Sequence, residues 1–305
     1  MLNFPKDVEI TESAARDGFQ SIPEWIPTER KIEVIEALIA CGYKRMELTS
    51  FVHPKAIPQM RDADEVADVI MKKYKGRLRF LALVPNLYGA RKAVEKKVDD
   101  IEVVVSATDE HNQANTKQTI AQSMEGFKEI NAIKGDSRLC FSVVTAFVCP
   151  FTGPVDPQKV VCLLEKALEM GADQILVADT TGTANPRMLG TLLSQIRDAF
   201  PDRPLGLHLH DTKGFGLANV LTALDLGIIH IDGSAGGLGG CPFTPGAAGN
   251  IATEDLVTML EEMGVSTGIH MGKLWEAVDL IGQLPGVRVN SHMSVIRAGK
   301  STCAE

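Results

Sequence analysis

Two histidines, His208 and His210, sit two residues apart in the apolar stretch "GLHLHDTKGFG", Gly206 to Gly216. On a strand, alternate side chains share a face, so both imidazoles point the same way. Such a pair is either a hydrogen-bonded couple in a core or two ligands of a metal. Asp17, in "TESAARDGFQ", offers a carboxylate beside Arg16, and Asn250 offers a carbonyl oxygen. Taken alone, Asp17 reads more readily as a turn residue before Gly18 than as a ligand. Two nitrogens with these oxygens, and room for substrate oxygens, suit an octahedral Mg²⁺ or Mn²⁺ better than a closed zinc site. Cys241 stands between glycines and Pro242 in "GSAGGLGGCPFTPGAAGN". A single thiol in so glycine-rich a segment suits a chemical participant more than a fixed ligand. The segment itself either turns the chain, cradles phosphate, or closes as a lid over substrate.

These residues need elements that bring them together. An apolar strand-like run followed by an amphipathic helix recurs eight times. "DVEITE" (Asp7 to Glu12) alternates as a strand, and "TERKIEVIEALIACG" spaces Ile32, Ile35, Leu38 and Ile39 as a helix. "RMELTS", "RLRFLALVPN", "DDIEVVVSA" and "LCFSVVTAFV" are the next four strands, with helices between them. "DPQKVVCLLEKALEMGA" opens with an Asp cap and a first-turn Pro and closes at a Gly. "DQILVADT", "PLGLHLHD" and "IIHIDGS" complete the strands, and "TEDLVTMLEEMG" closes the series. Apolar strands alternating with helices indicate a parallel sheet covered by helices, and eight units in this length predict a (β/α)₈ barrel. An open doubly wound sheet is the rival, but no Gly-rich dinucleotide fingerprint follows the first strand. The barrel is assigned to residues 1–266. Residues 267–305 read as an appended helix, about Met271 to Ile281, and a weakly structured tail.

In such a barrel the active site lies at the C-terminal ends of the strands. The histidine pair ends strand seven. Arg16 and Asp17 follow strand one; Glu47, Thr49 and Ser50 end strand two; Asp179, Thr180 and Thr181 end strand six. Cys241 and Asn250 follow strand eight. Polar groups therefore gather at one mouth. The other histidines, His53, His111, His230, His270 and His292, form no spacing of this kind, and Arg45, Lys55 and Arg61 read as solvated surface.

The 305 residues carry a net charge of −8, which argues against nucleic acid as a partner. No run is long and apolar enough to span a membrane, and the N-terminus lacks a secretory pattern. Six cysteines without a CxxC pair suit reduced thiols in a cytoplasm.

Together, "ARDGFQ", "ELTSFVHPKAIPQM", "HLHDTKGFGLANV" and "GGLGGCPFTPGAAGNIATEDLV" resemble the 3-hydroxy-3-methylglutaryl-coenzyme A lyase family over nearly the whole chain. The last motif is specific to the lyases, while the Arg-Asp and His-x-His pieces are shared with related synthases and aldolases. The resemblance implies a metal-dependent barrel that cleaves 3-hydroxy-3-methylglutaryl-CoA to acetyl-CoA and acetoacetate by retro-Claisen chemistry. It implies a divalent metal on Asp17, His208, His210 and Asn250. It further implies Arg16 at the thioester carbonyl, Glu47 as a supporting acid, Asp179 at an acidic position, His208 as a candidate base and Cys241 as a catalytic thiol. An acyl-CoA substrate and a homo-oligomer are expected. Pro23 stands where the resemblance expects a lysine, which opens a related substrate such as citramalyl-CoA. A condensing synthase is a further alternative, although the tail is too short for the regulatory domain it would need. Cys303, in "GKSTCAE", is expected to be exposed, either as an inert thiol or as a disulfide partner across a dimer.

Overall fold

The computed structural model describes residues 4–240 and 249–302, the last three as backbone only. Runs rich in Val, Ile and Leu form the strands β1 (Glu9–Glu12), β2 (Arg45–Ser50), β3 (Arg79–Leu83), β4 (Asp100–Ser106) and β5 (Arg138–Val144). A two-residue hairpin, β6 (Val148–Cys149) with β7 (Gly153–Pro154), follows, and then β8 (Gln174–Asp179), β9 (Leu205–Leu209) and β10 (His230–Gly233). Apart from that hairpin, the strands pair in parallel and close in the order β1-β10-β9-β8-β5-β4-β3-β2. Closure rules out the open doubly wound sheet.

Helices α1 (Thr28–Ile39), α2 (Ala63–Tyr74), α3 (Leu87–Glu95), α4 (Asp109–Thr116) and α5 (Ile120–Ile133) cover the first half. Helices α6 (Pro157–Glu169), α7 (Pro186–Ala199), α8 (Gly216–Asp225) and α9 (Thr253–Glu262) cover the second. Local chemistry sets their starts. Asp156 and Asn185 accept backbone N–H groups at the heads of α6 and α7, each followed by a proline, and Thr119 with Gln122 forms a capping box on α5. The apolar helix faces pack on the outward face of the strands. Phe127 of α5, for example, meets Phe141 of β5 edge to face, centroids 5.0 Å apart.

The inward face is polar, and here expectation fails for Arg45. It is not solvated surface but 4% exposed, with Nε 2.9 Å from Asp100 Oδ2 and Nη2 3.1 Å from Cys140 Sγ. Strand alternation explains it: Arg45 and Glu47 share the β2 face that turns into the barrel, ahead of a register shift between Glu47 and Thr49. Arg79 and Arg138 reach the same Asp100 from β3 and β5. One fully buried carboxylate therefore gathers three guanidinium groups from three strands.

The C-terminal segment also differs from expectation. Helix α10 (Met271–Gly282) is present, but the tail continues as a further helix, α11 (His292–Thr302). Its first turn is held by Asp255 of α9, which accepts from the backbone N–H groups of His292 and Met293 at 2.9 and 2.8 Å. That cap lies 37 residues away in sequence, so no local signal announces it. Cys303 lies outside the described residues.

Candidate active site

The chain leaves β1 in a single π-helical turn, Ala14–Gly18, in which the N–H groups of Arg16, Asp17 and Gly18 all point to Ser13 O. Wide turns of this kind recur at functional sites. Two buried groups fix the turn. Ser13 Oγ donates to Gly233 O at 2.9 Å. The Glu12 carboxylate accepts from Ala14 N, Ala235 N and Thr253 Oγ1, tying β1 to the segment after β10 and to the head of α9. Burial outweighs these bonds and pushes the Glu12 carboxyl up to about 7.

The turn delivers Arg16 and Asp17 side by side at the mouth, 8% and 6% exposed. Arg16 Nε and Nη2 donate to the two Glu47 oxygens, both at 2.9 Å, and Nη1 donates to Asp17 Oδ1 at 2.5 Å. Burial opposes the guanidinium charge, yet Glu47 and Asp17 hold it above its ordinary value. Of its five N–H groups three are thus taken, leaving two for a ligand. Burial pushes the Glu47 carboxyl up, with Arg16 pulling against it.

Asp17, His208 and His210 each turn a ligand atom toward one point, all within 4.8 Å of one another. The two Nε2 atoms stand 3.2 Å apart, and His210 Nε2 is 3.8 Å from Asp17 Oδ2. Neighbouring ligands about 2.1 Å from one octahedral ion lie about 3 Å from each other, so the spacing fits a metal. Asn250 donates from Nδ2 to Asp17 Oδ2 at 2.7 Å and to Leu238 O at 2.9 Å. Its Oδ1 is buried with no polar partner among the described residues, a free lone pair of the kind a cation takes up. Gly239 makes the close approach possible: its φ is +130°, and a Cβ there would lie 2.3 Å from Asn250 Nδ2 and 3.1 Å from Asp17 Oδ2.

Charges in the cluster are sharply sorted. Burial would raise the Asp17 carboxyl, but Arg16 and the two histidines bring it down to about 2. Burial would lower His208, but the hydrogen bond and charge of Asp232 lift it to about 9. Burial and the neighbouring His208 push His210 down to about 4.

The structure thus brings together Arg16, Asp17, Glu47, His208, His210 and Asn250. Asp179 is placed differently. Its carboxylate is turned onto its own loop and accepts from Ala184 N at 2.9 Å and from Thr181 Oγ1 and Thr183 N at 3.3 Å. Cys241 lies outside the described residues. Asp232, absent from the sequence-based set, lies 3.1 Å from His208 Nδ1. Its signal was the alternation of "HID" in β10, which turns His230 and Asp232 inward together. Beside the cluster opens a cavity of about 440 Å³, walled by Ile22, Pro23, Leu238 and Gly239 and, from the C-terminal segment, by Val287 and Arg288.

Known proteins match this arrangement along most of their length. Residues 7–281 match the HMGL-like family. The hydroxymethylglutaryl-CoA lyase YngG of Bacillus subtilis is 42% identical over 93% of this chain and 95% of its own. The (R)-citramalyl-CoA lyase of Chloroflexus aurantiacus is 39% identical, over 92% of this chain and 91% of its own. Among solved structures, an HMG-CoA lyase from Acenitobacter baumannii in complex with coenzyme A and 3-methylmalate is 41% identical, with a TM-score of 0.90 over 96% of each chain. A closed parallel barrel, a buried Asp-His-His cluster at its mouth and these extended identities lead to one assignment: the chain belongs to the HMGL-like family.

Proposed function

We propose that the protein is a carbon–carbon lyase that cleaves 3-hydroxy-3-methylglutaryl-CoA to acetyl-CoA and acetoacetate. The observation that carries the reading is the Arg16–Asp17 pair meeting His208 and His210 at one mouth. Asp17, His208, His210 and Asn250 are the residues that would hold a divalent ion, Mg²⁺ or Mn²⁺. When bound, that ion supplies Lewis acidity that makes the substrate's tertiary hydroxyl a stronger acid. Of the two candidate bases, Asp17 takes the hydroxyl proton on a carboxylate lone pair, since His208, with Nδ1 on Asp232 and Nε2 turned to the ion, keeps no lone pair for it. The C–O⁻ electron pair becomes the new ketone, the C2–C3 bond breaks, and its electrons move onto the thioester as an enolate. Arg16, clamped by Glu47, meets that oxygen with its two remaining N–H groups and stabilises charge that appears only as the bond breaks. Cys241 returns a proton to C2, which completes acetyl-CoA. Asp179 acts through the loop it organises beside the mouth. The enzyme works as a homo-oligomer in the cytoplasm.

Citramalyl-CoA is the second substrate to weigh. It is favoured by Pro23 on the cavity wall and by the identity with a citramalyl-CoA lyase. Offering both thioesters to metal-loaded protein and measuring acetyl-CoA with the accompanying keto acid decides between them. Release of acetyl-CoA from neither would overturn the lyase reading.

A further inference from the structure

The two histidines are not equivalent, and the difference lies behind them. His208 Nδ1 meets the Asp232 carboxylate at 3.1 Å, and Asp232 is itself 6% exposed. His210 Nδ1 is also buried but meets no polar partner among the described residues. Both rings nevertheless turn Nε2 to the same space. The strand register explains the asymmetry. Parallel β9 and β10 align Leu207 with Ile231, so the next residues, His208 and Asp232, are neighbours on the inward face. Two positions beyond Asp232, on the same face, stands Ser234, which carries no carboxylate and whose buried Oγ makes no hydrogen bond to His210.

We propose that Asp232 is a positioning residue that makes His208 the anchoring imidazole of the metal site. This rests on the divalent-ion reading above. The carboxylate accepts the Nδ1 proton, which fixes the ring's orientation and leaves the Nε2 lone pair facing Asp17 and His210. A carboxylate behind a ligating histidine also raises the basicity of the ligand nitrogen, and losing such a partner costs about 10- to 100-fold in metal affinity. His210 lacks that support and completes the site as the weaker ligand. Asp232 touches neither substrate nor ion in this account. Its whole effect passes through one ring.

The experiment is a Mn²⁺ titration of the whole chain, with the free ion followed by electron paramagnetic resonance. The comparison is wild type against Asp232→Asn, which keeps the shape and removes the charge. The expected result is an affinity lower by about 10- to 100-fold in the variant. An affinity equal to the wild type's overturns the proposal and leaves the divalent-ion reading standing. No Mn²⁺ bound by the wild type overturns that reading itself. A second measurement needs no variant: ¹⁵N-resolved NMR of the histidine rings in Mg²⁺-loaded wild type. The expected spectrum has the His208 proton on Nδ1, in a hydrogen bond to a carboxylate. A His208 ring with Nδ1 unprotonated overturns the proposal, even if Asp232→Asn fails to fold.

Discussion

Arg16 and Glu47 face each other through two hydrogen bonds of equal length, Nε to Oε2 and Nη2 to Oε1, each 2.9 Å. A planar fork meets a planar carboxylate, and the third contact, Nη1 to Asp17, leaves the guanidinium no rotational freedom. Lysine offers one point charge and no fork. Arg16→Lys is therefore expected to lower kcat by about 10²-fold, by analogy with loss of an oxyanion donor, while KM moves much less. Steady-state kinetics on the CoA thioester checks it; a near-normal kcat would remove Arg16 from the reacting centre.

Gly239 gives a test of the proposed metal site that leaves every proposed ligand in place. An added methyl would press on Asn250 Nδ2, at a backbone angle of +130° that side chains rarely adopt. The strain alone costs on the order of 1–3 kcal/mol. Gly239→Ala is expected to weaken Mn²⁺ binding by at least about tenfold, with the circular dichroism of the barrel retained. Unchanged binding would separate Asn250 from the site.

The three-arginine clamp on Asp100 sets the acid limb of stability. Burial would raise this carboxyl, but Arg138, Arg79 and Arg45 bring it down to about 2 from its ordinary 3.8. A carboxyl lowered on folding contributes stability that is present above its unfolded value and lost as the pH falls through its folded one. Unfolding free energy should therefore drop as pH falls from about 4 towards 2, and the slope should be shallower in Asp100→Asn. That variant should also be less stable at neutral pH, by about 3–5 kcal/mol, because the buried Arg45 loses its counter-charge, while the half-exposed Arg79 and Arg138 turn to water. Urea titrations across that pH range test both effects.

Glu12 carries the opposite sign. Its carboxyl is raised from 4.5 to about 7. The folded state therefore holds a proton that the unfolded chain has released, and stability declines as pH rises from about 4.5 to 7. Glutamine keeps an acceptor for Ala14 N and Ala235 N and presents its N–H₂ to Thr253 Oγ1. Glu12→Gln should flatten the decline, measured by denaturant midpoints at pH 5, 6 and 7, each about one unit apart on the linkage curve. An unaltered decline would assign it to other groups.

Cys241→Ser tests the proposed proton donor. A thiol with a pKa near roughly 8.5 is a far better acid than a hydroxyl. The variant should keep fold and metal affinity and lose most of its cleavage rate, and substrate should slow alkylation of Cys241 in the wild type. Normal turnover together with unprotected labelling would shift the proton to another donor.

The barrel and the centre of its candidate site were legible for one reason. Alternating strands and helices specify the architecture, and the architecture assigns chemistry to one end of every strand. Asp17, His208 and His210 follow from that rule. The residues behind them did not. Arg45 begins its strand and looks like any exposed cation; only the closed barrel turns it inward to Asp100. Asp232 resembles a strand-end acid until register sets it beside His208. The Asp255 cap on α11 joins residues far apart in sequence, where no window of local pattern reaches.

The polar centre also shapes how the protein responds to temperature. Barrels of this type are commonly filled by layers of Val, Ile and Leu. This one buries Arg45, Glu47, Asp100, Glu102, Ser142 and Asp232. Hydrating apolar surface on unfolding raises heat capacity, whereas hydrating polar surface lowers it. The middle of this barrel therefore subtracts from the heat-capacity increment that its helix–strand interface adds. The dehydration cost of its charges also falls as temperature rises. Its stability should thus decline less steeply, on either side of the maximum, than that of an equally large barrel filled with aliphatic layers.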